Sequence, residues 1–551
     1  LFFACFFIWP IWQILQGGFF DANGNFTLAY FLEVFKNPIY MEGLWNAFRL
    51  ASFSTILCLF IAVPLAFVFD RFQFPGKTAF GAMALLPIML PPFVGAIGVQ
   101  QILGQYGVLN VILDHLGLIQ GNNAIDWLGG SGRFWGVVVL EALSLYPILY
   151  LNAQASLANI DPAMEEAAEN LGCTGVKRFF TITLPLMRPG LFAGCTIVFI
   201  WCFTELGVPL IFDYQRLTAV QIFNGIKDIG NNPFPFALVS VMLIFSIIFY
   251  AIGKGLFGRQ TFSMMAKASH AGEPKKLGLG GQTVCTGMFL VVIGLALLPH
   301  LAVVLISFSA DWYQSILPEH WTLSNYQIAL GHNLTVPSIQ NSLLYSSVAT
   351  TLNVALGICI AFVIVRTELP GRNMLDAMAM LPLAVPGLVM AFGYLAMAQP
   401  GKTFDFLNPT ENPTALLIIA YAVRKMPFVV RSAVAGLQQT SVTYEEAAQN
   451  LGCPPLKAAL KITIPLILAN LLAGALLAFS QSMLEVSDSL ILAQKQAYYP
   501  ITKAIYELMG ILGDGRFIAA ALGVWSMAFL AVTIIGASVL LGKKLGAIFR
   551  V

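Results

Sequence analysis

Apolar stretches of roughly 20 residues, the length that crosses about 30 Å of hydrocarbon as a helix, recur along the whole 551-residue chain. No other feature restricts the possible folds as tightly. With 58% hydrophobic and 10% charged residues and a mean hydropathy of +0.79, the apolar surface is too large for one soluble core to hide. The chain therefore reads as an integral membrane protein of the all-α transmembrane class with about 12 spans. In the first half these lie near 1–15, 46–69, 79–103, 134–155, 190–212 and 235–257, and in the second near 285–309, 341–365, 374–398, 414–435, 467–492 and 516–541. Glycine and proline are frequent inside them, which lipid-embedded helices tolerate because neighbouring helices satisfy the freed backbone groups. The opening run Leu1–Trp12 has no initiating Met and no basic leader, so a trimmed first span is expected there rather than a cleaved signal peptide.

The two halves are copies of one unit. Asn46 answers to Asn341, Pro75-Gly76 to Pro370-Gly371, Leu86-Pro87 to Leu381-Pro382, Pro91 to Pro386 and Gly98 to Gly393, all 295 residues apart. Further along, the offset falls to 280, which puts a 15-residue deletion in an external loop of the second half, where length changes cost little. Six spans per copy is an even number, so both copies enter the membrane in the same sense and form two parallel six-helix repeats related by an axis along the membrane normal. The expected organisation is a first transmembrane domain over 1–258, a cytoplasmic linker over 259–284 and a second transmembrane domain over 285–551, with a central seam through which a solute could pass. Cationic residues orient the whole. Arg71, Lys77, Lys177, Arg178, Arg188, Arg366, Arg372, Arg431, Lys457, Lys461 and the linker cations gather on one side, and fewer, among them Lys36, Arg133, Arg216 and Lys402, fall on the other. The first side is expected to be cytoplasmic.

Two acidic segments on that side repeat almost residue for residue. One reads Glu165-Glu166-Ala167-Ala168-Glu169-Asn170-Leu171-Gly172, followed by Ile182, Leu184 and Pro185. The other reads Glu445-Glu446-Ala447-Ala448-Gln449-Asn450-Leu451-Gly452, followed by Ile462, Ile464 and Pro465. Asp161-Pro162 is a strong helix start, Ser441 or Thr443 would serve in the second copy, and Thr443 with Glu446 fits a capping box. Early glutamates suit the positive helix end, paired alanines permit close approach of another surface, and Gly172 or Gly452 would stop each helix. A polar helix repeated in an otherwise apolar chain needs a partner outside the membrane.

In these segments the chain resembles the permeases of binding-protein-dependent ABC importers. Their signature, Glu-Ala-Ala, three residues, Gly, nine residues, Ile, one residue, Leu-Pro, fits Glu166 to Pro185 and again Glu446 to Pro465, with Ile464 replacing Leu in the second copy. Two signatures on one chain resemble the fused permeases of the ferric iron type, a group that also serves thiamine, phosphonates and sugar phosphates. The resemblance implies the type I importer permease fold. It also implies that Glu165, Glu166, Ala167, Ala168, Gly172, Glu445, Glu446, Ala447, Ala448 and Gly452 form coupling helices seated in clefts of ATP-hydrolysing subunits. Two such helices imply two copies of an ATP-binding subunit on the cytoplasmic side, and an external binding protein would deliver the solute. The chain itself is expected to bind no cofactor, with ATP and Mg²⁺ used by the partner subunits, and to have no nucleic-acid partner.

Catalysis by the chain itself is poorly supported. Gly76-Lys77-Thr78 and Gly401-Lys402-Thr403 end like phosphate-binding loops, but the required first glycine is Arg71 in one and Ala396 in the other. The five His are scattered, the eight Cys include no CxxC, and no Gly-x-Ser-x-Gly turn occurs. Ionisable groups at membrane depth are costly and are functional candidates by default. Glu205 and Glu485 are repeat equivalents 280 residues apart, with Asp488 one turn beyond Glu485; Arg424, beside Lys425, and Glu141 complete the candidate pathway set. Each could instead be structural, Glu205 and Glu485 as polar bonds between helices and Arg424 and Lys425 as snorkelling cations. Carboxylates suit a cation such as ferric iron; Arg424 and Lys425 would suit a phosphonate or sugar phosphate. An ion-coupled secondary carrier is the alternative from another class, although it would leave the twin acidic helices without a purpose.

Overall fold

The computed structural model describes residues 1–21, 24–119, 123–226, 232–257 and 275–541. Most of the linker expected over 259–284 therefore lies outside the described residues, as do Lys543, Lys544 and Arg550. The described chain is helical apart from two short strand pairings, Phe72–Gln73 with Lys275–Lys276 and Ser309–Asp311 with His320–Trp321.

In the first repeat the helices that matter here are α1 (Trp9–Phe19), α2 (Pro38–Arg71), α3 (Pro92–Leu103), α4 (Gly132–Ala158), α5 (Pro162–Asn170), α6 (Leu184–Phe203) and α7 (Phe234–Phe257). The second repeat gives α8 (Leu279–Ser307), α9 (Thr335–Arg366), α10 (Arg372–Ala384), α11 (Gly387–Met397), α12 (Thr414–Gln439), α13 (Thr443–Asn450), α14 (Ile464–Met483) and α15 (Gly515–Leu541). Among the described residues nine helices are long and apolar enough to cross a membrane, or ten if α10 and α11 form one bent span. Two of the twelve expected spans fall short of that standard for physical reasons. The first is a short helical stretch, and α12 carries Arg424, Lys425 and Arg431 along its 26 residues.

The third span is broken by proline in both copies. Pro386 forces Val385 into extended backbone, and α10 and α11 meet at 102°. In the first repeat Leu90 is extended in the same way before Pro91, and α3 starts afresh at Pro92.

By contact the chain forms two compact units, one of residues 1–41, 221–243 and 326–549, the other mainly of 42–220 and 244–325. The sequence repeats are interleaved in them, because the first helix of each repeat packs on the third span of the other. In the first unit α1 lies on α11; in the second α8 lies on α3. Equivalent glycines make both crossings possible. A Cβ on Gly393 would stand 2.9 Å from Pro10 Cβ, and one on Gly98 would intrude on the carbonyl of Pro299. Elsewhere in the first unit α9, α12 and α14 pack together, and in the second α4 packs on α6. Asn46 and Asn341 also match in use: the amide of Asn46 donates to Arg216 O at 3.0 Å, and that of Asn341 to Ala497 O at 2.9 Å.

Candidate functional site

The acidic segments form the short helices α5 and α13. Asp161 stands in extended backbone before Pro162 and its carboxylate accepts from the Ala163 amide at 2.9 Å, which satisfies one of the orphan donors of a helix start. The equivalent contact in the second copy is made by Ser441, whose hydroxyl accepts from the Thr443 amide at 3.3 Å. The capping box expected of Thr443 and Glu446 does not form. Thr443 already lies inside the helix and bonds Ser441 Oγ at 2.8 Å, and the residue at the capping position is Val442, whose side chain has no polar atom to cap with.

Both helices end alike. Gly172 and Gly452 take φ of 80° and 83°, a conformation open to glycine at little cost. The Gly172 amide reaches Glu169 O and the Cys173 amide reaches Ala168 O at 2.9 Å each, and the second copy repeats this with Gly452 to Gln449 O and Cys453 to Ala448 O. This double closure is a Schellman motif. Each chain then passes through a wide i→i+5 turn, Phe179–Thr183 or Ala459–Thr463, before α6 or α14. Pro185 and Pro465 cannot donate to the carbonyl four residues back, and a widened turn absorbs that loss.

Within each helix the two leading glutamates face opposite ways. Glu165 is buried and pairs with Arg71, the last residue of α2, at 2.9 Å, while the Thr183 hydroxyl donates to the same oxygen at 2.7 Å. Glu445 is buried in the same manner and pairs with Arg366, the last residue of α9, at 3.0 Å. Glu166 and Ala167, like Glu446 and Ala447, stay exposed, whereas Ala168 is buried and Ala448 half-buried. Beside them Leu171 and Leu451 are 88% and 90% exposed, and Val176 and Leu456 are exposed as well. Each motif thus presents a small acidic and apolar face, anchored from beneath. The anchoring arginines were visible in the sequence only as cytoplasmic-side charges; their shared offset of 295 and their place at the end of a span were the available signal.

The candidate pathway residues fall in two groups. In the first compact unit Glu485 lies between Arg424, at close range, and Lys425, 2.8 Å away, and Asp488 Oδ2 is 3.4 Å from Arg424. The four formal charges balance. Asp488 is fully buried and its Oδ1 has no hydrogen-bond partner. Thr502 and Ser489 donate to the Glu485 carbonyl, and Tyr421 bonds Ser489 at 2.7 Å. A Cβ on Gly387 would collide with the Arg424 guanidinium, so the broken start of α11 rests against this group. In the second unit Glu141 on α4 is 1% exposed and its Oε1 has no hydrogen-bond partner. Glu205, in the same unit, accepts from the Gly207 and Val208 amides at 2.9 and 3.2 Å. Glu205 and Glu485 stand at breaks just after α6 and α14 rather than inside continuous helix.

Residues 59–262 and 353–539 match the family of binding-protein-dependent transport system inner membrane components. The chain belongs to that family. It is a multi-pass inner-membrane permease of the ABC importer class and a non-catalytic membrane subunit. Among its relatives is a permease named for ferric transport in Haemophilus influenzae, 28% identical, covering 88% of this chain and 75% of that one. A ferric transport system permease of Actinobacillus pleuropneumoniae is also 28% identical; the match covers 83% of this chain and 64% of the relative. A second Haemophilus influenzae permease, named for Fe(3+) transport, is 24% identical with 84% and 83% covered. Permeases of this family work with a solute-binding protein and an ATPase.

Proposed function

We propose that this chain forms the translocation pathway of a ferric iron importer, with residues 1–258 and 285–551 as its two permease domains and 259–284 as a cytoplasmic link. The observation that carries the reading is the pairing of α5 and α13, two acidic helices built alike and each pinned by its first glutamate while the next residues face outward. Two copies of an ATP-binding subunit dock there and use ATP with Mg²⁺, and their approach rocks the repeats to expose the pathway alternately to either side. An external binding protein delivers the cargo.

Ferric iron is favoured over a phosphonate or sugar phosphate by the relatives' names and by the charge arrangement. Arg424 and Lys425, the cations an anion would need, are engaged by Glu485 and Asp488, whereas Glu141 adds a buried carboxyl oxygen with no hydrogen-bond partner. The test is uptake into proteoliposomes holding the permease, its ATPase and its binding protein. ATP-dependent accumulation of ferric iron is expected. Accumulation of a phosphonate instead would replace the cargo, and uptake that persists without any ATPase would return the ion-coupled carrier.

A further inference from the structure

Glu165 and Glu445 lead their motifs, yet neither is available to a docking partner. Each is 6% exposed on a mostly exposed helix, and each meets an arginine at the end of the second span of its own repeat, Arg71 at 2.9 Å and Arg366 at 3.0 Å. The arginines are 295 residues apart and the glutamates 280. The 15-residue deletion lies between the paired residues, and the pair has kept its contact in both copies despite it.

We propose that Arg71 and Arg366 are positioning residues that tie each docking helix to the second span of its repeat, so that a push on the helix moves α2 with α6, or α9 with α14, as one body. This rests on the functional reading above and deepens it. Without the pair, nothing among the described contacts would tie the glutamates of α5 and α13 to the second span; α5 would keep only ties toward α6, Thr183 to Glu165 and Arg178 to Glu169, both at 2.7 Å. With it, Glu165 joins three elements at one oxygen, because Thr183 in the wide turn donates to it. In the second copy Arg366 also donates to Thr440 O at 2.8 Å and fixes the segment that enters the helix. In that copy both side chains are nearly buried and Arg366 Nε donates to Glu445 at 3.0 Å, a charge-assisted bond of defined direction such as a transmitting joint requires; in the first copy Arg71 makes an ion-pair contact with Glu165 and also with its neighbour Asp70 at 3.3 Å. Glu166 and Glu446 remain for the partner, so the two glutamates divide the work: one grips the permease and the other faces outward.

The test measures solute imported per ATP hydrolysed by the full permease–ATPase–binding-protein assembly carrying Arg71→Gln and Arg366→Gln. The ATPase should still co-purify and ATP hydrolysis continue, while uptake per ATP falls about tenfold, as expected when a coupling free energy between two sites is lost. The charge swap Arg366→Glu with Glu445→Arg, in an otherwise unchanged chain, should return most of the uptake per ATP. If uptake per ATP stays at the wild-type value in the Gln variants, the joint is only structural and the inference is overturned. Should the Gln variants fail to accumulate, the swap decides: coupled uptake supports the joint, and futile hydrolysis overturns it. Absence of ATP-dependent uptake in the unaltered assembly would instead overturn the functional reading itself, and this inference with it.

Discussion

Glu205 and Glu485 hold the same place in the two repeats, 280 residues apart, and are satisfied by different chemistry. Both lie just beyond the fifth long helix of their repeat; the Glu205 carboxylate accepts from the Gly207 and Val208 amides of the turn that follows, whereas that of Glu485 is held by Arg424 and Lys425. The second copy then adds charge at three equivalent positions: Ser144 corresponds to Arg424, Leu145 to Lys425 and Val208 to Asp488. The two copies thus keep the helix break at the same place, and only the second carries an ionic network around it. Buried ion pairs contribute little net stability but are costly to break singly, so the difference points to a switch or a shaped lining rather than to a stronger fold.

The comparison breaks most readily at Arg424. Arg424→Met leaves two buried carboxylates facing one lysine and should destabilise the protein by about 3–5 kcal/mol, read as a lowered unfolding midpoint in detergent or nanodiscs. Grafting the first repeat's residues together, Arg424→Ser, Lys425→Leu and Asp488→Val, should cost much less than the single change. A larger loss would show that the two sites are not variants of one frame.

The crossed first helices give the next largest effect. Gly98→Ala meets the backbone carbonyl of Pro299, which cannot yield, and should cost about 1–3 kcal/mol; Gly393→Ala meets the ring of Pro10 and should fall at the lower end of that range. Smaller still, Glu205→Ala removes the acceptor for two amides and should cost about 1 kcal/mol, with Glu205→Gln recovering part of it through its amide oxygen. The smallest contrast lies in the wide turns. Thr183→Val breaks a bond to Glu165 and should cost about 1 kcal/mol, whereas the hydroxyl of Thr463 has no partner and Thr463→Val should be close to neutral. Equal effects at these two threonines would contradict the difference between the latches.

Much of this architecture is legible in the sequence because it is written in one-dimensional signals. Hydropathy gives the spans, the offsets of 295 and 280 give the duplication, and Asp161-Pro162 and Gly172 mark where α5 begins and ends. What could not be read has a common cause: it depends on residues far apart in the chain. Nothing local tells that Pro10 meets Gly393, or that Arg71 turns toward Glu165 rather than toward lipid headgroups. The proline-broken third spans were foreshadowed by Pro91 and Pro386, but the 102° bend was not. The capping box expected at Thr443 does not form because the helix starts one residue earlier than that reading requires, with Val442 at its cap, and only the backbone decides the start. Glu205 and Glu485 look like interior span residues since the apolar run continues past them, yet the helices end two residues before, at Phe203 and Met483.

The composition of the working assembly tests the central claim most directly. Native mass measurement of the complex purified from its own membrane in an uptake-competent state should find two nucleotide-hydrolysing subunits for each permease chain, one for each of α5 and α13. An uptake-competent preparation whose mass leaves room for no such subunit would contradict it.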